Sequence, residues 1–223
     1  MRILLSIALL LVLSACSKKT QDISNGNNPG TTVNNNKPDT TTAALPLTSV
    51  KYNGEIADPK DSFITYLIRK GNNYCDNNNY NITQYTSLRF TAILDSTCIY
   101  TTTDPTNQAD INKLFGFADC SSHHQTNSAR FGWNWHNGAM RIHAYCYAGS
   151  VRSYKELGVV TIGKAFDCML TILPEKYVFE LNGKTDTMLR GCNTTSAYGY
   201  KLLPYFGGNE AAPHDVKIKI KEM

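Results

Sequence analysis

An all-β fold, two antiparallel sheets packed as a sandwich or jelly roll, is what this sequence predicts, and three observations carry it. Apolar and polar residues alternate at a period of two in successive short runs, the runs are separated by turn chemistry, and no βαβ alternation occurs. The alternating runs are Leu88 to Leu94, Phe131 to Trp135, Met140 to Tyr147, Phe166 to Leu173, Tyr177 to Leu181 and Val216 to Ile220. Between and around them stand Asn77-Asn78-Asn79, Asp104-Pro105, Asn137-Gly138, Asn182-Gly183, Gly207-Gly208-Asn209 and Ala212-Pro213, residues that tolerate or impose turn geometry. Only Asp110 to Phe115 reads as a helical turn. Lys217, Lys219 and Lys221 share one parity of the last run and are expected on its wet face.

The N-terminal 45 residues read differently from the rest. Met1-Arg2 and the apolar run Ile3 to Leu13 lead into Leu13-Ser14-Ala15-Cys16. The run is too short to cross a bilayer, and a small-residue site ending in cysteine marks processing. The stretch resembles a bacterial lipoprotein signal, which implies that residues 1–15 are removed and that Cys16 carries lipid. Residues 16–45 are rich in Asn, Thr, Gly and Lys and nearly devoid of branched apolar and aromatic residues, so they are expected to form a disordered tether. Ser17-Lys18-Lys19 after the cysteine resembles outer-membrane sorting, with either the periplasmic or the cell-surface side open. Residues 46–223 remain as one β-sandwich domain, long enough for a sizeable core.

Charge excludes one partner class. The chain has 22 Lys and Arg against 18 Asp and Glu, a formal net charge of +4. Its basic residues are spread rather than gathered on a stripe, so no nucleic acid is expected. Six cysteines follow Cys16, namely Cys75, Cys98, Cys120, Cys146, Cys168 and Cys192, an even number in an exported chain. Three disulfides are possible among fifteen pairings; Cys146 with Cys168 is the favoured pair, because both sit on apolar faces of successive predicted strands. No Cys-x-x-Cys pair occurs, and the spacings argue against zinc. His123-His124 beside Cys120 is expected as an exposed polar loop, because adjacent histidines point apart.

The segment Ser128 to Tyr147 is the most decodable, because Asn137-Gly138 is the preferred two-residue hairpin turn and fixes the register. Pairing His136 with Ala139 sets Trp135 opposite Met140, Asn134 opposite Arg141, Trp133 opposite Ile142, Gly132 opposite His143 and Arg130 opposite Tyr145. One face then carries Phe131, Trp133, Trp135, Met140, Ile142, Ala144 and Cys146 and is expected in the core. The other carries Arg130, Asn134, Arg141, His143, Tyr145 and Tyr147. These six are the candidate ligand-binding residues of a groove, since tyrosine stacks on sugar rings while Arg and Asn donate to hydroxyls or carboxylates. The plain alternative is an exposed sheet whose Tyr and Arg pair across strands.

Asp110 to Phe117, Ser128 to Trp133, Pro204 to Gly208 and Ala212 to Asp215, in that order, resemble uncharacterised exported lipoproteins with a concanavalin A-like lectin/glucanase jelly roll. The resemblance spans roughly residues 60 to 223 and implies one concave and one convex sheet, with polysaccharide crossing the concave one in lectins, glycosidases and lyases. It implies no cofactor; relatives of the fold hold a structural calcium with an Asp and carbonyls near the last strand, where Asp215 stands. A retaining glucanase needs two carboxylates flanking the bond. The six glutamates, Glu55, Glu156, Glu175, Glu180, Glu210 and Glu222, have no Asp two residues on, so that chemistry is not expected. A lyase acting on a uronic-acid polymer needs a neutraliser, a base and an acid, types that Asn134, Arg141, His143 and Tyr145 supply. The lyase motif on this fold is Gln-x-His, whereas this strand reads Arg141-Ile142-His143. The leading expectation is a non-catalytic carbohydrate-binding lipoprotein, with a lyase or an envelope interaction module as alternatives. Asn72 to Asn81 and Ser121 to Ser128 would present the loops of such a module.

Overall fold

A computed structural model describes residues 62–223. The expected leader, the expected lipidation at Cys16 and the expected tether lie outside the described residues. Twelve strands form two six-stranded antiparallel sheets. In chain order they are β1 (Ile64–Ile68), β2 (Ile82–Tyr85), β3 (Ser87–Leu94), β4 (Asn112–Ala118), β5 (Ser128–His136), β6 (Ala139–Ala148), β7 (Val151–Val160), β8 (Ala165–Leu173), β9 (Lys176–Leu181), β10 (Lys184–Leu189), β11 (Ala197–Leu202) and β12 (Val216–Glu222). Sheet A runs β1-β12-β3-β8-β9-β10, and sheet B runs β2-β11-β4-β5-β6-β7. This is the predicted jelly-roll sandwich.

Period-two patterning becomes burial in the way the sequence predicts. Leu88, Phe90, Ala92 and Leu94 of β3 point inward, as do Phe166, Cys168, Leu170 and Ile172 of β8 and Val216, Ile218 and Ile220 of β12. Lys217 and Lys219 face solvent between them. From sheet B come Phe117, Phe131, Trp133, Ile142 and Ala144, all fully buried. Phe90 meets Phe115 and Phe131 edge-on with centroids 5.1 and 5.4 Å apart, and Phe131 meets Phe179 at 5.0 Å. Each such side chain contributes about 1.5–3 kcal/mol by leaving water. Trp135 is half-buried and packs against the same cluster.

The β5–β6 hairpin has the register read from Asn137-Gly138, from His136 with Ala139 to Ser128 with Tyr147. Both turn residues have positive φ, 52° and 66°, as a type I′ turn requires. Gly149-Ser150 and Asn182-Gly183 repeat this chemistry between β6 and β7 and between β9 and β10.

Two expectations are corrected. Asp110 to Phe115 does not form a helical turn; from Asn112 it is strand β4, and the local helix is a 3-10 turn at Pro105–Asn107. A bulge between Lys113 and Phe115 hides the strand's alternation. Lys113 pairs with Gly132 and Phe115 with Phe131, so Leu114 is the extra residue. The bulge also lets Lys113 point outward while Phe115 enters the core.

The second correction concerns the cysteines. The disulfide joins Cys120 to Cys192, with Cα atoms 6.0 Å apart, and ties the loop after β4 to the loop before β11. Cys146 and Cys168 are unpaired and buried, as are Cys75 and Cys98. Cys146 and Cys168 follow each other among the predicted strands but belong to opposite sheets, with β7 intervening. Sheets pack about 10 Å apart, whereas a disulfide wants Cα atoms about 4.4–6.8 Å apart.

Candidate functional site

The outer face of the β5–β6 hairpin divides into a closed end and an open end. At the closed end Asn134 and His143 are buried, and His143 Nε2 lies 3.2 Å from Asn134 Oδ1. The segment before β4 covers them: Asn134 Nδ2 donates to the Ala109 carbonyl at 2.9 Å. Gly132 makes this cover possible. A Cβ there would stand 2.4 Å from Ile111 Cγ2, so only a residue without a side chain admits Ile111 onto the sheet. Burial lowers the His143 pKa and keeps the ring neutral. Arg141, half-buried beside this end, donates to both Glu156 carboxylate oxygens at 3.0 and 3.1 Å.

The open end carries Arg130, Tyr145 and Tyr147, which line a depression of about 370 Å³. Lys113 of β4, Arg152 of β7, His124 and Gln125 of the loop before β5, and Tyr205 complete its wall. Of the six residues chosen from the hairpin, three therefore meet in one groove; Asn134, Arg141 and His143 lie outside it. Lys113, Arg152, His124 and Tyr205 come from other elements. No carboxylate lines the depression; Asp110 borders the neighbouring hollow with Lys113 and Tyr145.

The cations share one aromatic ring. Lys113 Nζ lies 5.0 Å from the Tyr145 centroid and the Arg130 guanidinium 5.3 Å from it. Tyr147 stands against Tyr145 with centroids 6.0 Å apart. Burial, then the hydrogen bond and charge of Tyr147, raise the Tyr145 pKa against the opposing pull of Arg130 and Arg152. Lys113 donates to the Gly207 carbonyl at 2.8 Å, and burial followed by Arg130 lowers its pKa to about 8. Arg130 is only 7% exposed, its Nε has no partner, and among the described residues it makes no ion pair.

The groove continues past Arg130. A second depression of about 430 Å³ shares His124, Arg130 and Tyr205 with the first and adds Tyr74, Asn79, Tyr80 and Tyr200. Tyr80 and Tyr200 rings lie 4.9 Å apart and tilted. Burial, then Arg130 and His123, lower the His124 pKa to about 4, so its ring is neutral. The Tyr200 hydroxyl accepts from the His124 backbone N–H at 3.1 Å and lies 2.8 Å from Nδ1. The Tyr200 hydroxyl therefore holds the His124 ring through Nδ1 and leaves Nε2 as the ring's second polar atom.

At the end of β4 is a buried assembly with no signal in the sequence. Asp119 at the end of β4 accepts from Arg190 Nε at 2.7 Å, Tyr177 Oη at 2.6 Å, and the backbone N–H groups of Cys120 and Tyr198. Arg190 further donates to the carbonyls of Leu173, Thr194 and Ser196. The disulfide begins one residue after Asp119. A group of ligating side chains is formed by Asp119, Cys120 and Cys192, but its two sulfurs are bonded to each other. Asp215 Oδ1 accepts from the backbone N–H of Lys70 at 2.9 Å.

No family model matches the chain, and no curated protein does. Solved structures are similar to it to differing degrees. An alginate lyase is 10% identical with a TM-score of 0.50, over 75% of this chain and 76% of that one. A glycoside hydrolase family 16 endo-glucanase from Bacteroides ovatus is 11% identical with a TM-score of 0.48, over 74% and 81%. Chicken galectin 2 is 8% identical with a TM-score of 0.36, over 71% and 99%.

Proposed function

We propose that the protein is a non-catalytic glycan-binding lipoprotein, held through lipid on Cys16 to the outer membrane, with its tether leading to a sandwich that grips polysaccharide on sheet B. The observation that carries this reading is the open groove across β4, β5, β6, β7 and the Pro204–Asn209 segment. It offers stacking tyrosines, guanidinium and ammonium donors and no paired carboxylates. The alginate lyase with the same fold acts on a polysaccharide, in keeping with a carbohydrate ligand.

A lyase is the second reading, favoured by the meeting of Arg130, Lys113, Tyr145 and His124 in one groove. β-Elimination would neutralise a uronate carboxylate, take the C5 proton and expel the C4 oxygen, leaving a C4–C5 double bond. The arrangement of the two histidines disfavours this reading. His124 is engaged through Nδ1 with the Tyr200 hydroxyl, and His143 is buried on the covered end of the hairpin with Asn134. The test exposes the full-length chain to neutral and uronic-acid polysaccharides, recording retention and ultraviolet absorbance together. Retention without absorbance, lost in Tyr145→Ala, is expected. Absorbance that rises and disappears in His124→Ala makes the protein a lyase, and no retention on any polysaccharide leaves an envelope interaction module.

A further inference from the structure

The guanidinium of Arg130 is buried, and its Nε has no hydrogen-bond partner. A buried charge costs several kcal/mol unless it is paired, and proteins pair or neutralise such groups. Arg130 cannot neutralise itself, since a guanidinium holds its proton at any ordinary pH. Its neighbours in the groove wall, Lys113 and Arg152, are also positive; Arg130 and Arg152 both lower the Lys113 pKa, and only Asp110 acts in the opposite sense. Three cations therefore converge on Tyr145 with no carboxylate in the groove wall. The elements that hold them, β4, β5 and β7, are joined through the paired strands of sheet B, so the cluster is rigidly built. Asp110, whose carboxylate accepts from the Asn209 backbone N–H beside the groove, is one negative charge against three positive ones, and Arg130 has no anion paired with it among the described residues.

We propose that the groove is built for an acidic polysaccharide: a carboxylate or sulfate on one sugar sits between Arg130, Lys113 and Arg152, and neighbouring sugar rings lie along Tyr200 and Tyr80. The inference rests on the glycan-binding reading and deepens it by naming the charge of the ligand. Carboxylate and sulfate share the chemistry that Arg130 recognises, namely oxygens that accept charge-assisted hydrogen bonds. Continuity supports the second half of the site. Arg130, His124 and Tyr205 border both depressions, so a chain anchored by its charge at Tyr145 is led onto the Tyr80–Tyr200 pair. Those rings give contact area without selecting charge, and Tyr80 is 71% exposed and ready to stack.

The experiment measures affinity of the full-length chain for matched pairs: alginate with its carboxyl-reduced neutral form, and dextran sulfate with dextran. The charged member of at least one pair is expected to bind about tenfold tighter or more, a difference of about 1.4 kcal/mol. Which pair shows it separates a carboxylate seat from a sulfate seat. Arg130→Met and Lys113→Met are each expected to erase the preference, with circular dichroism confirming the fold. A double change of Lys217 and Lys219 to Gln, on the outer face of sheet A, is expected to leave it intact and so excludes nonspecific attraction. Tyr80→Ala is expected to weaken polymer binding while sparing the preference for charge. Equal affinity for charged and neutral members, or a preference that survives in Arg130→Met, overturns the inference while the glycan-binding reading stands. Failure to bind any member overturns both.

Discussion

Two buried arginines, Arg190 and Arg130, show opposite ways of keeping a guanidinium inside this sandwich. Arg190 sits against Asp119, which also takes the Tyr177 hydroxyl, and its remaining N–H groups reach Leu173, Thr194 and Ser196. Every donor is used and no surface is offered, so the assembly is structural. Arg130 is just as enclosed, yet its Nε has no acceptor and its neighbours are Lys113, Arg152 and the Tyr145 ring. The first has its anion within the chain. The second has no anion paired with it among the described residues and borders an open groove, which is the observation the proposed site rests on.

The largest effect should come from breaking the paired assembly. Asp119→Ala leaves Arg190 buried without its counter-charge and Tyr177 without its acceptor, and is expected to cost about 3–5 kcal/mol in chemical denaturation. Replacing Cys120 and Cys192 together by Ser releases the loops beside that assembly. With the two cysteines 72 positions apart in sequence, a loss of about 2–4 kcal/mol is expected from the same measurement. The contrast then sharpens at the other arginine. Arg130→Met removes a charge that has no partner, so its stability is expected to be unchanged or higher by about 1 kcal/mol. A loss of several kcal/mol at Arg130 would erase the distinction between the two sites.

The smallest effect is a pH dependence through Lys113, faced by Arg130, Arg152, Asp110, Tyr145, Tyr205 and the Gly207 carbonyl. Its folded pKa, about 8, is below the ordinary 10.5, so between these values the folded chain binds fewer protons than the unfolded one. Stability of the unliganded protein from this group therefore rises with pH across that window. Affinity for an acidic glycan runs the other way and falls as pH passes about 8, because the ammonium that attracts the anion is lost. Binding titrations from neutral to mildly alkaline pH check this, and Lys113→Met should flatten the profile.

Legibility followed locality. The strand runs, the inward face of the β5–β6 hairpin and its register were readable because side-chain parity and an Asn-Gly turn act over neighbouring residues. The bulge at Lys113–Phe115 breaks parity, which is why β4 reads as a helical turn and why Lys113 escaped notice as a groove residue. Edge strands β2 and β7 carry exposed polar and aromatic residues with little alternation, so they left little signal. Arg130, Tyr145 and Tyr147 were found because the hairpin places them on one face. Asn134 and His143 share that face, and nothing in the hairpin tells that Ile111 covers them; the one trace is Gly132.

By itself the sequence determined an all-β sandwich, the inward set of side chains and the pairing of Arg130 with Tyr145, since periodicity and turn type need only short stretches of chain. Tertiary structure alone decided which cysteines bond, that Asp119 meets Arg190 and Tyr177, and that Lys113, Arg130 and Arg152 converge without a carboxylate. Those contacts join residues far apart in the chain, and their formation depends on how two sheets stack and where loops return, for which no local pattern codes.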